Sequence, residues 1–152
     1  MTSPEERLAE LGLTVPEVSA PVAAYVPAVR SGQHVFTSGQ LPFRAGELMA
    51  AGKVGGAVTP EEGYACGQQC VLNALAAIRT QVPLDQVVRV VKVVAFVAST
   101  ADFTGQPAVA NGASELLGEL FGERGAHARS AVGVAALPLD APVEVEMVVE
   151  VR

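Results

Sequence analysis

The chain is poor in the residues on which several classes of protein depend. Its 152 residues include no tryptophan, two cysteines and two histidines. Cysteines as few and as close together as Cys66 and Cys70 do not form the disulfide framework that small secreted domains need. Their spacing is instead typical of core thiols on one face of a helix, which indicates a reducing, cytoplasmic environment.

Basic residues are scarce as well. Ten Lys and Arg against sixteen Asp and Glu give a formal net charge of -6, which repels phosphate backbones and disfavours nucleic acid as a partner. The most apolar stretch, Val87–Ala98, is interrupted by Arg89 and Lys92 and is too short to span a bilayer. The first residues are polar and acidic, unlike a secretory signal. We therefore expect a cytoplasmic protein that does not associate with membranes.

Several catalytic motifs are also missing. The glycine-rich stretch Gly52–Gly56 lacks the Lys-Ser/Thr ending of a phosphate-binding loop. His34 and His127 stand far apart and make no zinc-binding spacing with the cysteines. The Gly-x-Ser-x-Gly elbow of serine hydrolases does not occur. We therefore expect no metal centre and no cofactor.

What the chain does have is a high apolar content. Half of its residues are hydrophobic, and a chain of this length buries enough surface to fold as one domain. We therefore predict a single domain over residues 1–152, with residues 1–19 as an N-terminal helical extension. That extension carries a capping box, with Ser3 as N-cap, Pro4 in the first turn and Glu6 as the capping acid.

The remaining pattern predicts a mixed fold. We expect two short strands over Tyr25–Val29 and His34–Ser38, followed by a long glycine-rich loop over Gly39–Val58. A helix from Thr59 to about Thr80, a central strand over Val87–Ala98 and a second helix over Pro107–Phe121 come next. Two final strands cover Arg129–Leu137 and Val143–Val151. This order is typical of an α+β fold with two helices packed on one face of a β-sheet. The apolar residues on the other face suggest burial by a partner subunit.

Two separated motifs resemble the RidA (YjgF) family. The first is the Arg129-Ser130 pair, followed by the Leu137-Pro138 turn and the Val-Glu-Val-Glu strand from Val143. The second is Tyr25-Val26, followed by Thr-Ser-Gly-Gln-Leu-Pro from Thr37 to Pro42. The resemblance extends roughly from residue 20 to residue 152. The long glycine-rich loop, and an alanine at position 131 where the family often has cysteine, suggest a divergent subfamily.

The resemblance implies a fold, an assembly and an activity. The fold is chorismate-mutase-like, the assembly is a homotrimer, and three sites lie in clefts between subunits. Central members of the family hydrolyse reactive 2-imino acids and their enamine tautomers to 2-oxo acids and ammonia, without a cofactor. Others carry labels such as endoribonuclease or translation initiation inhibitor. A non-catalytic trimer that binds small carboxylates or has a regulatory role is the main alternative.

The resemblance also implies roles for single residues. Arg129 grips the substrate carboxylate through two parallel N–H bonds, Glu144 orients or deprotonates the attacking water, and Tyr25 shapes the catalytic pocket. Substrate-binding positions carried over from the family are Ser38, Gly39, Ala131 and Asn111. From the pattern alone, Arg129 can equally be a surface salt-bridge residue, Glu144 a solvated strand residue and Tyr25 a half-buried aromatic.

Strand geometry predicts where these groups lie. If residues 129–136 and 143–151 form one hairpin, Glu144 is beside the turn and Arg129 is at the far end. The two are then separated by about 20 Å or more. A small substrate does not bridge that distance, so we expect Arg129 and Glu144 of one site to come from different subunits.

Overall fold

A computed structural model describes residues 2–18 and 24–152. The helices are α1 (Pro4–Glu10), α2 (Pro60–Arg79) and α3 (Gln106–Phe121). The strands are β1 (Ala28–Ser31), β2 (His34–Thr37), β3 (Phe43–Arg44), β4 (Glu47–Leu48), β5 (Val87–Ala98), β6 (Ala128–Val134) and β7 (Val143–Val151). Residues 1 and 19, the ends of the predicted extension, lie outside the described residues, as does position 20, where the resemblance begins. Within the described ranges, no helix is long and apolar enough to cross a membrane.

Helix α1 begins at the predicted capping box and packs onto the domain. The Ser3 hydroxyl accepts a hydrogen bond from the Glu6 backbone N–H at 3.1 Å, and the Glu6 carboxylate accepts one from the Ser3 N–H at 2.8 Å. Leu8 is buried, and the Arg7 Nε donates to the carbonyl oxygen of Glu119 on α3 at 3.1 Å. The extension is therefore docked against α3.

The main sheet has the strand order β1-β2-β7-β5-β6. Strand β5 pairs antiparallel with β7 and parallel with β6. The predicted hairpin between residues 129–136 and 143–151 is therefore wrong. Because the side chains on both faces of β5 are mostly apolar, the strand takes a central position with a hydrogen-bonded neighbour on each side. Helix α3 supplies the crossover that a parallel β5–β6 pair requires, and the Leu137–Pro142 turn carries the chain past β5 to β7.

The two long helices cover one face of this sheet, as predicted. Alternate residues of β7, from Val143 to Val151, face the helices and are buried. The core formed there is aliphatic and includes fully buried Leu75 and Ile78 of α2 and Leu117 of α3. Packing of both helices against one face confirms the α+β prediction.

The opposite face of the sheet carries apolar side chains that the described chain leaves open. Val29, Phe36 and Val132 are 51%, 46% and 43% exposed. The strand register places half-buried residues of β5 and β7 beside them. We call this surface the open face; its apolar members are Val29, Phe36, Val94, Phe96, Val132 and Val148. Lys92 and Glu146 lie among them on the same face, and exposed apolar side chains bordered by polar ones are typical of an interaction site.

The glycine-rich segment 39–58, predicted as a loop, contains a short hairpin. Strands β3 and β4 pair antiparallel, and the turn between them holds Ala45 at a φ of 53°. The side-chain amide of Asn73 on α2 donates to the carbonyl oxygens of Leu41 and Phe43 at 2.9 and 3.0 Å. The segment is thereby tied to the core helix rather than left free.

Helices α2 and α3 approach closely because glycines line their contact. A Cβ on Gly112 would overlap the backbone carbonyl of Tyr64 on α2. A Cβ on Gly67 would touch backbone atoms of α3 at 3.4 Å. Gly118 lies on the same helix as Gly112, is exposed and has no atom within 4 Å of its would-be Cβ. Close packing of the helix pair thus depends on Gly112 and not on Gly118.

Gly112→Ala and Gly118→Ala should therefore shift stability in opposite directions. We expect Gly112→Ala to lower the free energy of unfolding by about 1–3 kcal/mol, because the new methyl group pushes the helices apart. Gly118→Ala should raise it by about 0.5–1 kcal/mol, because alanine favours an exposed helix. Urea unfolding followed by circular dichroism measures both. Equal effects would contradict the close helix contact.

Both cysteines lie in the core of α2, as predicted. Burial raises the pKa of the Cys66 thiol to about 11, and burial also raises the pKa of Cys70 well above its ordinary value. The Cys70 Sγ lies 3.8 Å from the carbonyl oxygen of Val143 on β7. These thiols are therefore core groups and poor nucleophiles.

We accordingly expect both thiols to resist alkylation in the native protein. At pH 8 a thiol of pKa about 11 is thiolate in roughly one molecule per thousand. Iodoacetamide labelling followed by mass spectrometry should therefore show little modification in buffer and two adducts in denaturant. Rapid labelling of the folded protein at pH 8 would contradict the burial of α2.

Candidate functional site

Arg129 lies on β6 with its side chain against α3. It is paired with buried Val93 of β5, on the face that the helices cover. Its Nη1 donates to Oδ1 of Asn111 at 2.8 Å and to Oγ of Ser114 at 3.2 Å. The Ser114 Oγ lies 2.9 Å from Nε2 of His127. These four residues, Arg129, Asn111, Ser114 and His127, form what we call the arginine cluster.

The other edge of the Arg129 guanidinium is unused. Among the described residues, Nε and Nη2 have no hydrogen-bond partner, and neither atom is sealed from solvent. No carboxylate of the described chain forms a salt bridge with this arginine. The surface salt bridge that the pattern alone allowed is therefore absent from that part of the chain. Two parallel N–H groups on one edge of a guanidinium match the geometry of a carboxylate.

Small residues follow Arg129 on the same side of β6. Ala131 is half-buried, and a Cβ on Gly133 would lie 2.7 Å from the Nε2 of Gln106. Since β6 is an edge strand, one row of its backbone groups faces away from β5. The side chains that follow Arg129 on this face are therefore small, and Gln106 lies over Gly133.

Glu144 lies near the other end of the sheet. A Cβ on Gly39 would sit 2.8 Å from both Cδ and Oε1 of Glu144, so the carboxyl lies directly over this glycine. The Ser38 hydroxyl donates to the carbonyl oxygen of Val26 at 2.6 Å, which ties down the segment after Tyr25. Tyr25 itself is 47% exposed. We call Ser38, Gly39 and Glu144 the glutamate cluster, and Tyr25 precedes Val26, the acceptor of the Ser38 hydroxyl.

Glu144 differs electrostatically from an ordinary solvated glutamate. Half-burial raises the pKa of its carboxyl, and the nearby Glu146 carboxylate raises it further. A carboxylate whose pKa moves towards neutrality accepts a proton from water more readily than an ordinary one. The position is therefore chemically suited to a general base.

The two clusters do not meet within one chain. Through β5, Arg129 is in register with Met147, whereas Val132 is in register with Glu144. Two strand spacings and three residues along the strand separate the Cα atoms of Arg129 and Glu144 by about 14 Å. Their side chains leave opposite faces, because Met147 points to the helices and Glu144 does not. The hairpin geometry was wrong, but the observed register also keeps the two groups apart.

Sequence reasoning missed two members of the arginine cluster, Ser114 and His127. A signal for Ser114 was present: Asn111 and Ser114 are three residues apart, so they share one face of a helix. His127 comes just before β6, and nothing in its position along the chain indicates its bond to Ser114. That bond joins two segments of the chain that periodicity cannot relate.

Two other features do not belong to these clusters. In the described ranges, no group of three His, Cys, Asp or Glu side chains converges to hold a metal ion. A cavity of about 420 Å³ lies where α1 meets the end of α3, lined by residues such as Arg7, Phe121 and Arg124. It touches no residue of either cluster, so cavity volume alone does not locate the site.

Comparison with known families identifies the fold. Residues 5–151 match the model of a family described as "YjgF/chorismate_mutase-like, putative endoribonuclease". The chain belongs to this family. The match spans both clusters, so the chorismate-mutase-like fold expected from the resemblance is confirmed.

Individual relatives support the same assignment. Protein TCP17 of Trypanosoma cruzi is 44% identical over 95% of this chain and 92% of its own length. The crystal structure of Atu1372 from Agrobacterium tumefaciens, described as of unknown function, has a TM-score of 0.92 and 40% identity, covering 98% of this chain and 92% of that one. Escherichia coli TdcF, solved with bound serine, has a TM-score of 0.62 and 27% identity, covering 90% and 94%.

Proposed function

We propose that this protein hydrolyses reactive 2-imino acids and their enamine tautomers to 2-oxo acids and ammonia. The observation that carries the proposal is the free edge of Arg129, a cation with no carboxylate partner in the described chain. An unpaired guanidinium edge suits a small carboxylate ligand. The serine bound to Escherichia coli TdcF, a relative, also bears a carboxylate.

The proposed reaction needs only positioning and a proton carrier. Arg129 holds the substrate carboxylate, which places the C=N carbon next to a water molecule. Glu144 accepts a proton from that water as its oxygen bonds to the carbon, and then passes the proton to the nitrogen. Glu144 then carries the hydroxyl proton of the resulting carbinolamine to the nitrogen as the C–N bond breaks, so that ammonia leaves and the 2-oxo acid forms. The steps consume one water and require no redox partner.

We further propose that the site forms between subunits of a homotrimer. The arginine cluster and the glutamate cluster supply complementary halves, carboxylate binding and water activation, on opposite faces of one sheet. A small substrate contacts both halves only if a second copy brings its glutamate cluster to the arginine cluster of the first. Copies of the chain that cover the open face would bury its apolar residues at the same time.

Two alternatives use the same residues differently. A non-catalytic trimer would bind a small carboxylate at Arg129 without needing Glu144, so binding of a 2-oxo acid without turnover would favour it. An endoribonuclease would need a surface that attracts phosphates, and the net charge of -6 argues against one. Strong, salt-sensitive RNA binding would favour the endoribonuclease.

The roles of Arg129 and Glu144 predict distinct losses of activity. In an assay that generates 2-iminobutanoate and follows its disappearance, Arg129→Lys should lower kcat/KM by about tenfold or more, because lysine cannot form the two parallel bonds. Glu144→Gln should lower kcat by about a hundredfold.

In the wild type, activity should fall as the pH drops through the raised pKa of Glu144. Arg30→Lys serves as a matched control; its guanidinium bonds the backbone carbonyls of Gly32 and Arg152. Disappearance at the buffer rate with pure wild-type protein would refute the proposed activity.

Mixing two variants of low activity tests whether Arg129 and Glu144 of one site come from different subunits. Arg129→Ala and Glu144→Gln subunits, unfolded together in equal amounts and refolded, should recover about a quarter of the wild-type activity, because every mixed trimer has one intact interface. Each variant refolded alone should keep about a hundredth of the wild-type activity or less. If both residues served the same chain, mixing would restore nothing.

The open face predicts the oligomeric state. Phe36→Asp, or Val132→Asp, should lower the mass measured by light scattering towards that of one chain, because a carboxylate at a buried interface costs too much desolvation. Val18→Asp is the matched control, since Val18 is 39% exposed but lies in the segment that follows α1. A wild-type mass equal to one chain would contradict the proposed trimer.

A further inference from the structure

The hydrogen bonds around His127 fix where its proton lies. Nδ1 is 2.6 Å from the carbonyl oxygen of Gly125, a group that only accepts. When the imidazole is neutral, Nδ1 therefore carries its one hydrogen and Nε2 accepts. The partner of Nε2 is the Ser114 hydroxyl at 2.9 Å, which must donate. The network assigns the tautomer and points the Ser114 proton at His127.

That assignment decides what Ser114 presents to Arg129. A serine hydroxyl rotates freely, and within a helix it often donates back to the carbonyl four residues earlier. Ser114 makes no such bond within the described chain, because His127 takes its proton. The lone pairs of Oγ are left facing Nη1 of Arg129 at 3.2 Å. Ser114 therefore acts as a pure acceptor towards the guanidinium.

Both hydrogens of Nη1 then have partners. One goes to Oδ1 of Asn111 at 2.8 Å and the other to Oγ of Ser114. Two acceptors on one nitrogen fix the plane of the guanidinium, whereas one acceptor lets the plane tilt around a single bond. Fixing that plane fixes the direction of the free edge formed by Nε and Nη2. Both acceptors are neutral, so the positive charge stays available to a ligand.

We infer that Ser114 and His127 are positioning residues that hold the free edge of Arg129 in the orientation that binds a ligand carboxylate. His127 orients the Ser114 hydroxyl, and Ser114 orients the guanidinium. Neither residue touches the substrate. This inference rests on the proposed function only for the identity of the ligand, because the hydrogen-bond chain exists in the protein alone.

Kinetics separate positioning from a general structural role. We expect Ser114→Ala to raise the KM for 2-iminobutanoate about tenfold with little change in kcat, since the lost contact served binding of the carboxylate. Ser114→Thr keeps the hydroxyl and should restore the wild-type KM. His127→Phe should behave like Ser114→Ala. Ser31→Ala, at an exposed serine whose side chain bonds no described residue, should change nothing.

A double-mutant cycle tests whether Ser114 acts on ligand binding through Arg129. If Ser114 acts through Arg129, adding Ser114→Ala to Arg129→Ala should cause no further change in kcat/KM or in 2-oxobutanoate binding. Additive losses would mean that Ser114 acts elsewhere. Circular dichroism of both single variants, compared with Ser114→Thr, checks that the fold is retained.

Side-chain NMR of the ligand-free protein keeps the test independent of activity. In the wild type, the Arg129 guanidinium signals, assigned by their loss in Arg129→Lys, should show slow rotation of the Nη1 group, and Ser114→Ala should accelerate it. If the wild type does not hydrolyse imines but Ser114→Ala accelerates rotation and weakens 2-oxobutanoate binding, the proposed function fails and this inference stands. If imines are hydrolysed but neither the rotation nor the KM changes in Ser114→Ala, this inference is overturned.

Discussion

The site depends on an arginine that its own chain holds but does not neutralise. Asn111 and Ser114 give Arg129 hydrogen bonds from neutral oxygens, and no described carboxylate pairs with it. A guanidinium fixed in this way has lost part of its hydration without gaining a counter-charge. An anion that reaches the free edge is therefore bound more strongly than at a fully solvated arginine. The geometry of the cluster makes a carboxylate the natural complement.

The central position of β5 separates this arginine from the carboxylate that would complement it chemically. With β5 between β6 and β7, Arg129 and Glu144 leave opposite faces of the sheet and lie two strands apart. The same arrangement leaves the open face without cover from α2 and α3. One topological feature therefore produces both an incomplete site and an apolar surface. A second copy of the chain would satisfy both requirements, which is why the proposals for activity and for assembly are linked.

Local signals were sufficient for most of the secondary structure. The capping box of Ser3 and Glu6 predicted the start of α1, and the apolar stretch Val87–Ala98 predicted β5. The pairing of the strands could not be predicted from residues close together in the sequence. Residues 129–136 and 143–151 look like a hairpin because a turn joins them, but only the burial of β5 on both sides decides which strands become neighbours. Turn chemistry specifies a change of direction and leaves the partner open.

The sequence by itself determined the fold class, the extents of the long elements and, through its two motifs, the residues Arg129 and Glu144 as candidates. The fold class and the elements follow from periodicity and capping, which act over a few residues along the chain, whereas Arg129 and Glu144 became candidates through the resemblance of the two motifs to a known family. Only the tertiary structure decided that Ser114 and His127 surround the arginine, that Gly39 lies under Glu144, and that the two clusters face away from each other. Such contacts join segments that are distant in sequence, and their geometry depends on strand order and helix packing, which no local pattern encodes.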